Sequence, residues 1–276
     1  MEFAEVRRRI ASSPVARVAA LPSRLGAVGR HNAAVASQSA RWLFTRREHT
    51  NFTYDLTPLN LEHLAWWAAS VSGAPVRQCR SWIAEILGDS DLQEHAYRIS
   101  ISTGRRGLTD EKSRIARRAG WYAVVRALQP EHVVETGTDK GLGSLVIAAA
   151  LLRNGSGVLT TMDINPDSGF LISEPYASVT RIERGDSIYL ITQLKEPVDL
   201  FIHDSDHSAE HEAAEFRAVE SHLTGAAIVL SDNSHITDEL PRWAEATGRT
   251  FTFFREAPKD HWYPGAGIGA AGYPRD

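Results

Sequence analysis

The chain has 276 residues, of which 43% are hydrophobic, and a formal net charge of −4. This composition is typical of a globular protein with one large core, or with one core and a smaller appended region. No stretch reaches the roughly 18 uninterrupted apolar residues of a membrane helix, and no run interleaves dense Lys and Arg with aromatics as nucleic-acid binders do. Cys79 is the single cysteine. An internal disulfide is therefore excluded, and a reducing compartment, the cytoplasm, is indicated.

Charge divides the chain into two regions. Residues 1–120 carry 18 Lys and Arg against 11 Asp and Glu, whereas residues 121–276 carry 12 against 23. The basic region either packs on the acidic one or helps to bind an anionic or polar substrate. We place the boundary at 108/109 and expect residues 1–108 to cover a substrate or to join copies of the chain in a homo-oligomer.

Residues 1–108 are predicted to be mainly helical. The Ala-, Arg- and Ser-rich segment 11–28 predicts an amphipathic helix. Apolar residues at helical spacing predict two more, over Leu61–Ser72 and Val76–Leu87, with the breaker Gly73-Ala74-Pro75 between them. Thr109 then predicts the N-cap of a long helix that ends at Leu128.

From His132 onward, short β-branched runs alternate with helical stretches. Such apolar runs separated by helices predict a parallel sheet covered on both faces. The runs span 132–137, 157–164, 179–186, 198–205 and 226–233, and helices are predicted over 142–153, 187–195 and 208–223. Each run carries a polar, acidic residue near its carboxyl edge, where open α/β sheets bind ligands: Glu135, Asp163, Asp186, Asp204 and Asp232.

The last two strand-like runs, 250–257 and 267–271, are joined by a segment too short for a helical crossover. They should therefore pair antiparallel. The predicted fold class is α/β, a Rossmann-like, seven-stranded and mostly parallel sheet with a C-terminal antiparallel hairpin and a helical N-terminal region.

A glycine-rich turn follows the first strand and opens a helix. Its sequence, ETGTDKGLGS (135–144), lets the backbone approach a ligand closely, and the helix N-terminus favours a carboxylate or phosphate. Asp163 ends the second strand, where an acidic residue can accept hydrogen bonds from ribose hydroxyls. A nucleotide cofactor is indicated, although Asp163 as a helix cap is the plainer alternative.

The run ETGTDKGLGS, followed by VLTTMDINPD (158–167), resembles the S-adenosylmethionine (SAM) binding region of class I methyltransferases, specifically metal-dependent O-methyltransferases of the catechol and macrolide-sugar types. The resemblance covers roughly 130–235 and makes residues 109–276 the SAM-binding domain. It implies Ser144 on the SAM carboxylate, Asp163 on the ribose and the turn Gly185-Asp186-Ser187 beside the adenine. It also implies that the methionine portion lies near Glu135 and the 137–143 loop, which contains Gly137, Thr138, Gly141 and Gly143.

Two further motifs, HDSDH (203–207) and LSDNS (230–234), follow the fourth and fifth strands. Neighbouring parallel strands that end level bring Asp204, Asp232 and Asn233 together, and their oxygens are hard ligands suited to Mg²⁺ or Mn²⁺. The resembled family holds its metal at these three positions, with Asp204 also beside the cofactor. The alternative is that both motifs only cap the helices that follow.

His207 lies where the resembled enzymes often carry a catalytic lysine. A histidine can act there as general base, so we assign catalysis to His207 and Asp204, with Asp206 as the next candidate. A helix cap or a solvated surface residue is the alternative for His207, and His203, on a core strand, is expected to be structural. A zinc cluster is excluded, because the sequence has one cysteine and lacks an HExxH motif. A serine hydrolase is not indicated, because the sequence lacks a GxSxG motif.

The leading hypothesis is a SAM- and Mg²⁺-dependent O-methyltransferase. The expected acceptor is a sugar, glycoside or other vicinal diol, because aromatic and arginine side chains suit saccharides, although core packing explains the tryptophans equally well. A phenol or catechol is the alternative acceptor. An NAD-dependent oxidoreductase and a non-catalytic nucleotide-binding module are the alternatives of other classes. The residues behind the saccharide argument are Trp42, Arg46, Arg47, Trp66 and Trp67.

Overall fold

In the computed structural model, residues 14–47, 52–105 and 112–273 are described. The chain forms two compact units, one of Met1–Arg46 with Asp260–Trp262 and the other of Arg47–Lys259 with Tyr263–Asp276. The units therefore part at Arg46, whereas the sequence placed the boundary at 108. The reason is that the helices between residues 58 and 87 pack on the helix that precedes the first long strand, so they belong to the sheet-containing unit.

The first unit contains helices α1 (Pro14–Ala19) and α2 (Leu21–Thr45). The predicted helix over 11–28 thus becomes two helices interrupted at Ala20, and its residues 11–13 lie outside the described residues. Helix α2 buries none of its residues and leaves Leu21, Leu25 and Val28 about half exposed or more. Self-association through this region stays a prediction.

The second unit contains the remaining helices. The predicted helices over 61–72 and 76–87 are confirmed as α3 and α4. Helix α3 has Thr57 as its N-cap, whose side chain accepts a hydrogen bond from the Asn60 N–H at 3.3 Å, and Gly73 as its C-cap. None of the described helices is long and apolar enough to cross a membrane. The helices are α3 (Pro58–Ser72), α4 (Val76–Leu87), α5 (Ser90–Ser102), α6 (Arg118–Leu128), α7 (Leu142–Asn154), α8 (Ser187–Thr192), α9 (Ala209–Val219) and α10 (Glu239–Ala246).

The sheet has seven strands in the order β4-β3-β2-β5-β6-β9-β7, and β9 runs antiparallel to both of its neighbours. The predicted fold class is confirmed. A small antiparallel pair, β1 with β8, was not predicted because each strand has only two residues. The strands are β1 (Asp55–Leu56), β2 (His132–Thr136), β3 (Val158–Asp163), β4 (Thr180–Arg184), β5 (Val198–His203), β6 (Leu223–Ser231), β7 (Thr250–Arg255), β8 (Pro258–Lys259) and β9 (Gly267–Gly272).

The core lies around β2 and α7. All five residues of β2 are buried, as expected for a central strand covered by helices on both faces. Helix α7 is apolar on every side and buries each residue from Leu142 to Leu151, so it is enclosed by its neighbours. This packing fixes the glycine-rich turn between β2 and α7.

The long helix predicted from Thr109 to Leu128 is wrong in its first part. Thr109 itself lies outside the described residues, but 112–117 is non-helical and α6 begins at Arg118. In this segment Ala116 has a positive φ of 43°, and Ile115 is buried. Helix propensity is overridden because the irregular turn buries Ile115 and places two arginines against buried carboxylates.

Candidate active site

A cleft of about 470 Å³ opens at the carboxyl ends of the parallel strands. It brings together six of the residues that the sequence assigned to the cofactor: Gly137, Asp163, Gly185, Asp186, Ser187 and Asp204. Side chains not singled out for the cofactor also line it, among them Ile164, which is 77% exposed, and His211. The cleft thus combines polar groups with an uncovered apolar side chain.

Gly137 holds the ends of β2 and β5 close together. Its φ is +87°, and a Cβ at this position would lie 1.9 Å from the carbonyl oxygen of Asp204. No side chain fits such a gap, and the left-handed backbone adds a second requirement for glycine. Asp204 therefore meets the glycine-rich turn directly.

Asp163 orders the loop beside the cleft. One of its carboxylate oxygens accepts the N–H of Asp139 at 2.8 Å, and the other accepts the N–H of Asn165 at 2.8 Å. Each carboxylate oxygen can accept a second hydrogen bond. The side chain can therefore receive ribose hydroxyls while it holds the loop.

Five residues assigned to the methionine end are absent from the lining of this cleft: Glu135, Thr138, Gly141, Gly143 and Ser144. The hydroxyl of Ser144 donates a short hydrogen bond to Glu135, which also accepts from Thr161 at 2.7 Å. Burial raises the pKa of Glu135 to about 7. Ser144 therefore supports Glu135 in this structure, and its contact with a SAM carboxylate stays a prediction.

The turn at Gly185 shapes the opposite side of the cleft. Asp186 caps α8 by accepting the N–H of Tyr189 at 2.8 Å. Ser187 turns inward and donates to Glu215. Both residues line the cleft as well, so capping and ligand contact are compatible for Asp186 and Ser187.

Glu215 lies fully buried under the cleft and accepts five hydrogen bonds. One oxygen accepts from Ser187, Ser205 and His211, and the other from Thr136 and His203. Burial alone would raise the pKa of Glu215, but the bonds from His203 and His211 outweigh it and hold the pKa well below its usual range. The carboxylate is thus ionised and fixes several walls of the cleft.

The second group of predicted residues meets at the ends of β5 and β6. His203 pairs with Ser231, and the Asp232 N–H donates to the His203 carbonyl at 2.8 Å, so Asp204 and Asp232 leave the sheet at the same level. Ligand atoms of Asp204, His207 and Asp232 lie within 4.8 Å of one another. Burial and the negative charge of Asp232 raise the pKa of Asp204 well above its usual range.

His207 contacts this cluster rather than the helix behind it. Its Nε2 accepts from the Asn233 side-chain amide at 2.9 Å, and the same amide donates to Asp232 at 3.1 Å. Burial lowers the pKa of His207, so the ring is neutral at neutral pH. The residue that bonds the turn before the next helix is Asp206, which accepts the Ser208 N–H at 2.9 Å.

Two neighbouring arginines neutralise the cluster. Arg117 pairs with both carboxylate oxygens of Asp232, and its third nitrogen lies 3.4 Å from Glu256. Arg118 reaches Asp204 at 3.4 Å. Both arginines are only 5% exposed. Two carboxylates thus face two guanidinium groups in a largely dry environment.

The family comparison points to one class of enzyme. Residues 134–234 match the model of a family described as a methyltransferase domain. Over these residues the chain is similar to a methyltransferase domain. The resemblance of the motifs to a methyltransferase is confirmed, and with it the assignment as a methyltransferase. No curated protein resembles the chain closely enough to count as a match.

Solved methyltransferases share the fold. The O-methyltransferase TomG from Streptomyces achromogenes, in complex with SAM, is 16% identical with a TM-score of 0.51, covering 68% of this chain and 91% of its own. Cofactor-bound Rv0187 from MTB is 17% identical with a TM-score of 0.55, covering 68% and 92%. A methyltransferase from Geobacter sulfurreducens is 15% identical with a TM-score of 0.51, covering 71% and 94%. At such identities the likeness shows the fold.

Several residues of this methyltransferase site were not found from the sequence. Arg117 and Arg118 were placed inside a long helix, and Glu256 in a terminal strand, so nothing linked them to the strand ends. A signal existed for the pair formed by His211 and Glu215, because residues four apart on a helix lie on one face. Trp67, considered for a sugar, is 6% exposed and packs near Phe254 in the core.

Proposed function

We propose that this methyltransferase transfers the SAM methyl group to a hydroxyl oxygen of a small molecule with vicinal hydroxyls, such as a sugar, glycoside or other polyol. The observation that carries the proposal is that Asp204 lines the cofactor cleft and also belongs to the acidic cluster. A hydroxyl bound at that cluster lies next to the cofactor. TomG, described as an O-methyltransferase in complex with SAM, supports oxygen as the acceptor atom.

A divalent cation, Mg²⁺ or Mn²⁺, is part of this proposal. Asp204, Asp232 and Asn233 would hold it. The two carboxylates fit, because their oxygens lie within 4.8 Å of each other and of a His207 ring nitrogen, and because they repel each other. Asn233 would have to turn its amide oxygen toward the cation, because its amide nitrogen faces His207 and Asp232. When bound, such a cation lowers the pKa of a coordinated hydroxyl. Asp232 can bind the cation only if at least one of its hydrogen bonds with Arg117 is broken.

His207 is proposed as the general base. Its lowered pKa leaves the ring able to accept a proton at neutral pH, and Nε2 is the acceptor nitrogen because Asn233 donates to it. The substrate hydroxyl replaces the Asn233 N–H as the donor to Nε2, and the proton then moves from that hydroxyl to the ring. Because His207 also stands among the possible cation ligands, binding the cation instead of the proton is its competing role.

Phe52 and Tyr263, two half-buried aromatic side chains, are proposed to contact a ring-shaped acceptor, whereas Tyr54 beside them is buried in the core. The rings of Phe52 and Tyr263 are 5.2 Å apart, and Tyr54 is 6.0 Å from Tyr263. Tyr54 donates to Glu256 at 2.8 Å, and Glu256 contacts Arg117, which connects the aromatics to the acidic cluster. Aromatic faces with polar edges suit a sugar ring or a phenol.

A product screen tests the proposal. The purified chain is incubated with SAM and a panel of glycosides, polyols and catechols, in chelator and then with Mg²⁺ restored. Mass spectrometry should show a product heavier by one methylene from a glycoside or polyol, with the added methyl on oxygen. Products from catechols alone favour the phenolic acceptor, and methyl on nitrogen or carbon contradicts the proposal.

Two variants locate the reaction in that screen. Asp204→Asn should abolish turnover even with Mg²⁺, because it removes one charge from the acidic cluster. Asp238→Asn is the matched control, since that carboxylate is 63% exposed in a surface ion pair with Arg242. Full activity of wild type in chelator contradicts the proposed cation and leaves His207 to act alone.

A further inference from the structure

Arg117 lies between two buried carboxylates. Its guanidinium pairs with both oxygens of Asp232, and its remaining nitrogen is 3.4 Å from Oε2 of Glu256. Asp232 and Glu256 are 1% and 2% exposed. A single buried cation therefore serves two anions, and it binds one of them far more closely than the other.

The closer partner is the carboxylate proposed to hold a divalent cation. The guanidinium occupies the lone pairs of Asp232 in a two-bonded arrangement, which is the strongest pairing that a carboxylate makes with a side chain. A metal ion needs those same lone pairs and is repelled by a guanidinium in a dry site, where like charges interact strongly. Metal binding to Asp232 therefore requires Arg117 to withdraw.

Glu256 offers a place for the withdrawn guanidinium. Its Oε2 accepts from Tyr54 at 2.8 Å and from the Ala266 N–H at 3.1 Å, which fixes the side chain. Its Oε1 is buried, and no group among the described residues donates a hydrogen bond to it. A buried carboxylate oxygen without a donor is costly, and a small movement of Arg117 toward Glu256 would satisfy it.

We propose that Arg117 is an internal counter-cation that competes with the metal for Asp232, and that Glu256 receives it when the metal binds. This rests on the proposed metal site. Without metal, the guanidinium neutralises Asp232, so the site is stable while empty. When the metal binds, it replaces Arg117 as the positive partner of Asp232, and Arg117 pairs with the buried Glu256 instead. The pair formed by Arg117 and Glu256 thereby sets the metal affinity.

Titration with Mn²⁺ tests the exchange, with free Mn²⁺ followed by its electron paramagnetic resonance signal in the full-length chain. Arg117→Met removes the competitor and should tighten Mn²⁺ binding by about tenfold or more. A change of this size corresponds to the loss of at least one hydrogen bond between Arg117 and Asp232. Glu256→Gln removes the anionic second position and should weaken binding by a similar factor. In the Arg117→Met background, Glu256→Gln should have a much smaller effect, because the two residues act together.

Controls keep the result interpretable. Arg126→Met removes an arginine of α6 that pairs with Glu85 at 2.9 Å, and it should leave Mn²⁺ binding unchanged. Asp232→Asn should abolish the binding, which assigns the bound Mn²⁺ to this site. If Arg117→Met does not fold, Arg117→Lys keeps the charge but loses the planar fork, and it should still tighten binding measurably.

The outcomes separate this inference from the metal proposal. Mn²⁺ binding by wild type with unchanged affinity in the Arg117 and Glu256 variants overturns the exchange and leaves the metal site standing. Binding by an Arg117 variant alone supports the competition and rejects a metal in the wild-type enzyme. Absence of Mn²⁺ binding in wild type and in every variant overturns both.

Discussion

Replacement of Glu215 by glutamine tests whether the buried carboxylate organises the cofactor cleft. The substitution keeps the shape of the side chain but removes its charge and turns one acceptor oxygen into a donor. One oxygen receives three hydrogen bonds and the other two. Whichever position the new amide nitrogen takes, it faces at least two donors.

The expected loss of stability follows from that count. A hydrogen bond to a charged group contributes about 1.5–3 kcal/mol, so the loss of two should lower the free energy of unfolding by roughly 3–6 kcal/mol at pH 7. Chemical denaturation measures it. Cofactor affinity should also fall, because Ser187, Ser205 and His211 line the cleft and lose their common anchor. Glu210→Gln, on the exposed side of the same helix, should cost no more than about 1 kcal/mol.

The pH dependence of this difference has a definite sign. The pKa of Glu215 is lowered in the folded protein, so its stabilisation is present above the unfolded value of about 4.3 and is lost as pH falls further toward the folded value. The gap between wild type and Glu215→Gln should therefore narrow below about pH 5. It should also narrow as pH rises above about 6.5, because the bond with Glu215 raises the pKa of His211 and that contribution is lost when His211 gives up its proton. A gap under about 1 kcal/mol at pH 7, with cofactor affinity intact, would refute the reasoning.

Three further predictions concern the cleft and the acidic cluster. Asp163→Ala should weaken SAM binding by about 1.5–3 kcal/mol in a calorimetric titration, and an unchanged affinity removes it from the ribose site. His207→Ala should fold and bind SAM but lose about 10²–10⁴-fold in turnover. The wild-type rate should rise with pH through an ionisation below the usual histidine value, because burial lowers that pKa, and a variant that keeps this rise contradicts the base. The Gly137→Ala variant should melt at a much lower temperature than the Gly248→Ala variant. Both glycines have a positive φ, but only a Cβ at position 137 would collide with backbone atoms. Equal melting temperatures would contradict the close approach of Gly137 to Asp204.

The sheet and the position of the site were predictable from the sequence for a clear reason. A buried parallel strand requires a continuous apolar run, and a ligand edge requires polar residues where that run stops. Asp163, Asp204 and Asp232 satisfy both conditions. The order of the two hairpin strands was not predictable. In the structure β9 lies between β6 and β7, and β7 lies at the edge, but the sequences of β7 and β9 have similar local patterns.

The arginines and the buried glutamate could not be predicted in the same way. Arg117 and Arg118 lie in a segment whose local pattern predicts a helix, and their partners are 115 and 86 positions away in the chain. Charge pairing over such distances leaves no periodic signal. The same holds for Glu256, whose contact with Tyr54 spans 202 positions. Residues of this kind become visible only when the fold brings distant segments together.

The two buried carboxylates near β5 differ in how easily their partners can exchange. Glu215 receives five separate donors, from β2, β5, α8, α9 and the loop after β5, so no single movement can replace them. Asp232 depends mainly on one guanidinium, which already lies near a second carboxylate. The same cofactor binds in every turnover, so a fixed cleft suits it, whereas the proposed cation requires a partner of Asp232 that can exchange. We therefore expect the rigid network to serve the cofactor side of Asp204 and the exchangeable pairing to serve the proposed acceptor side.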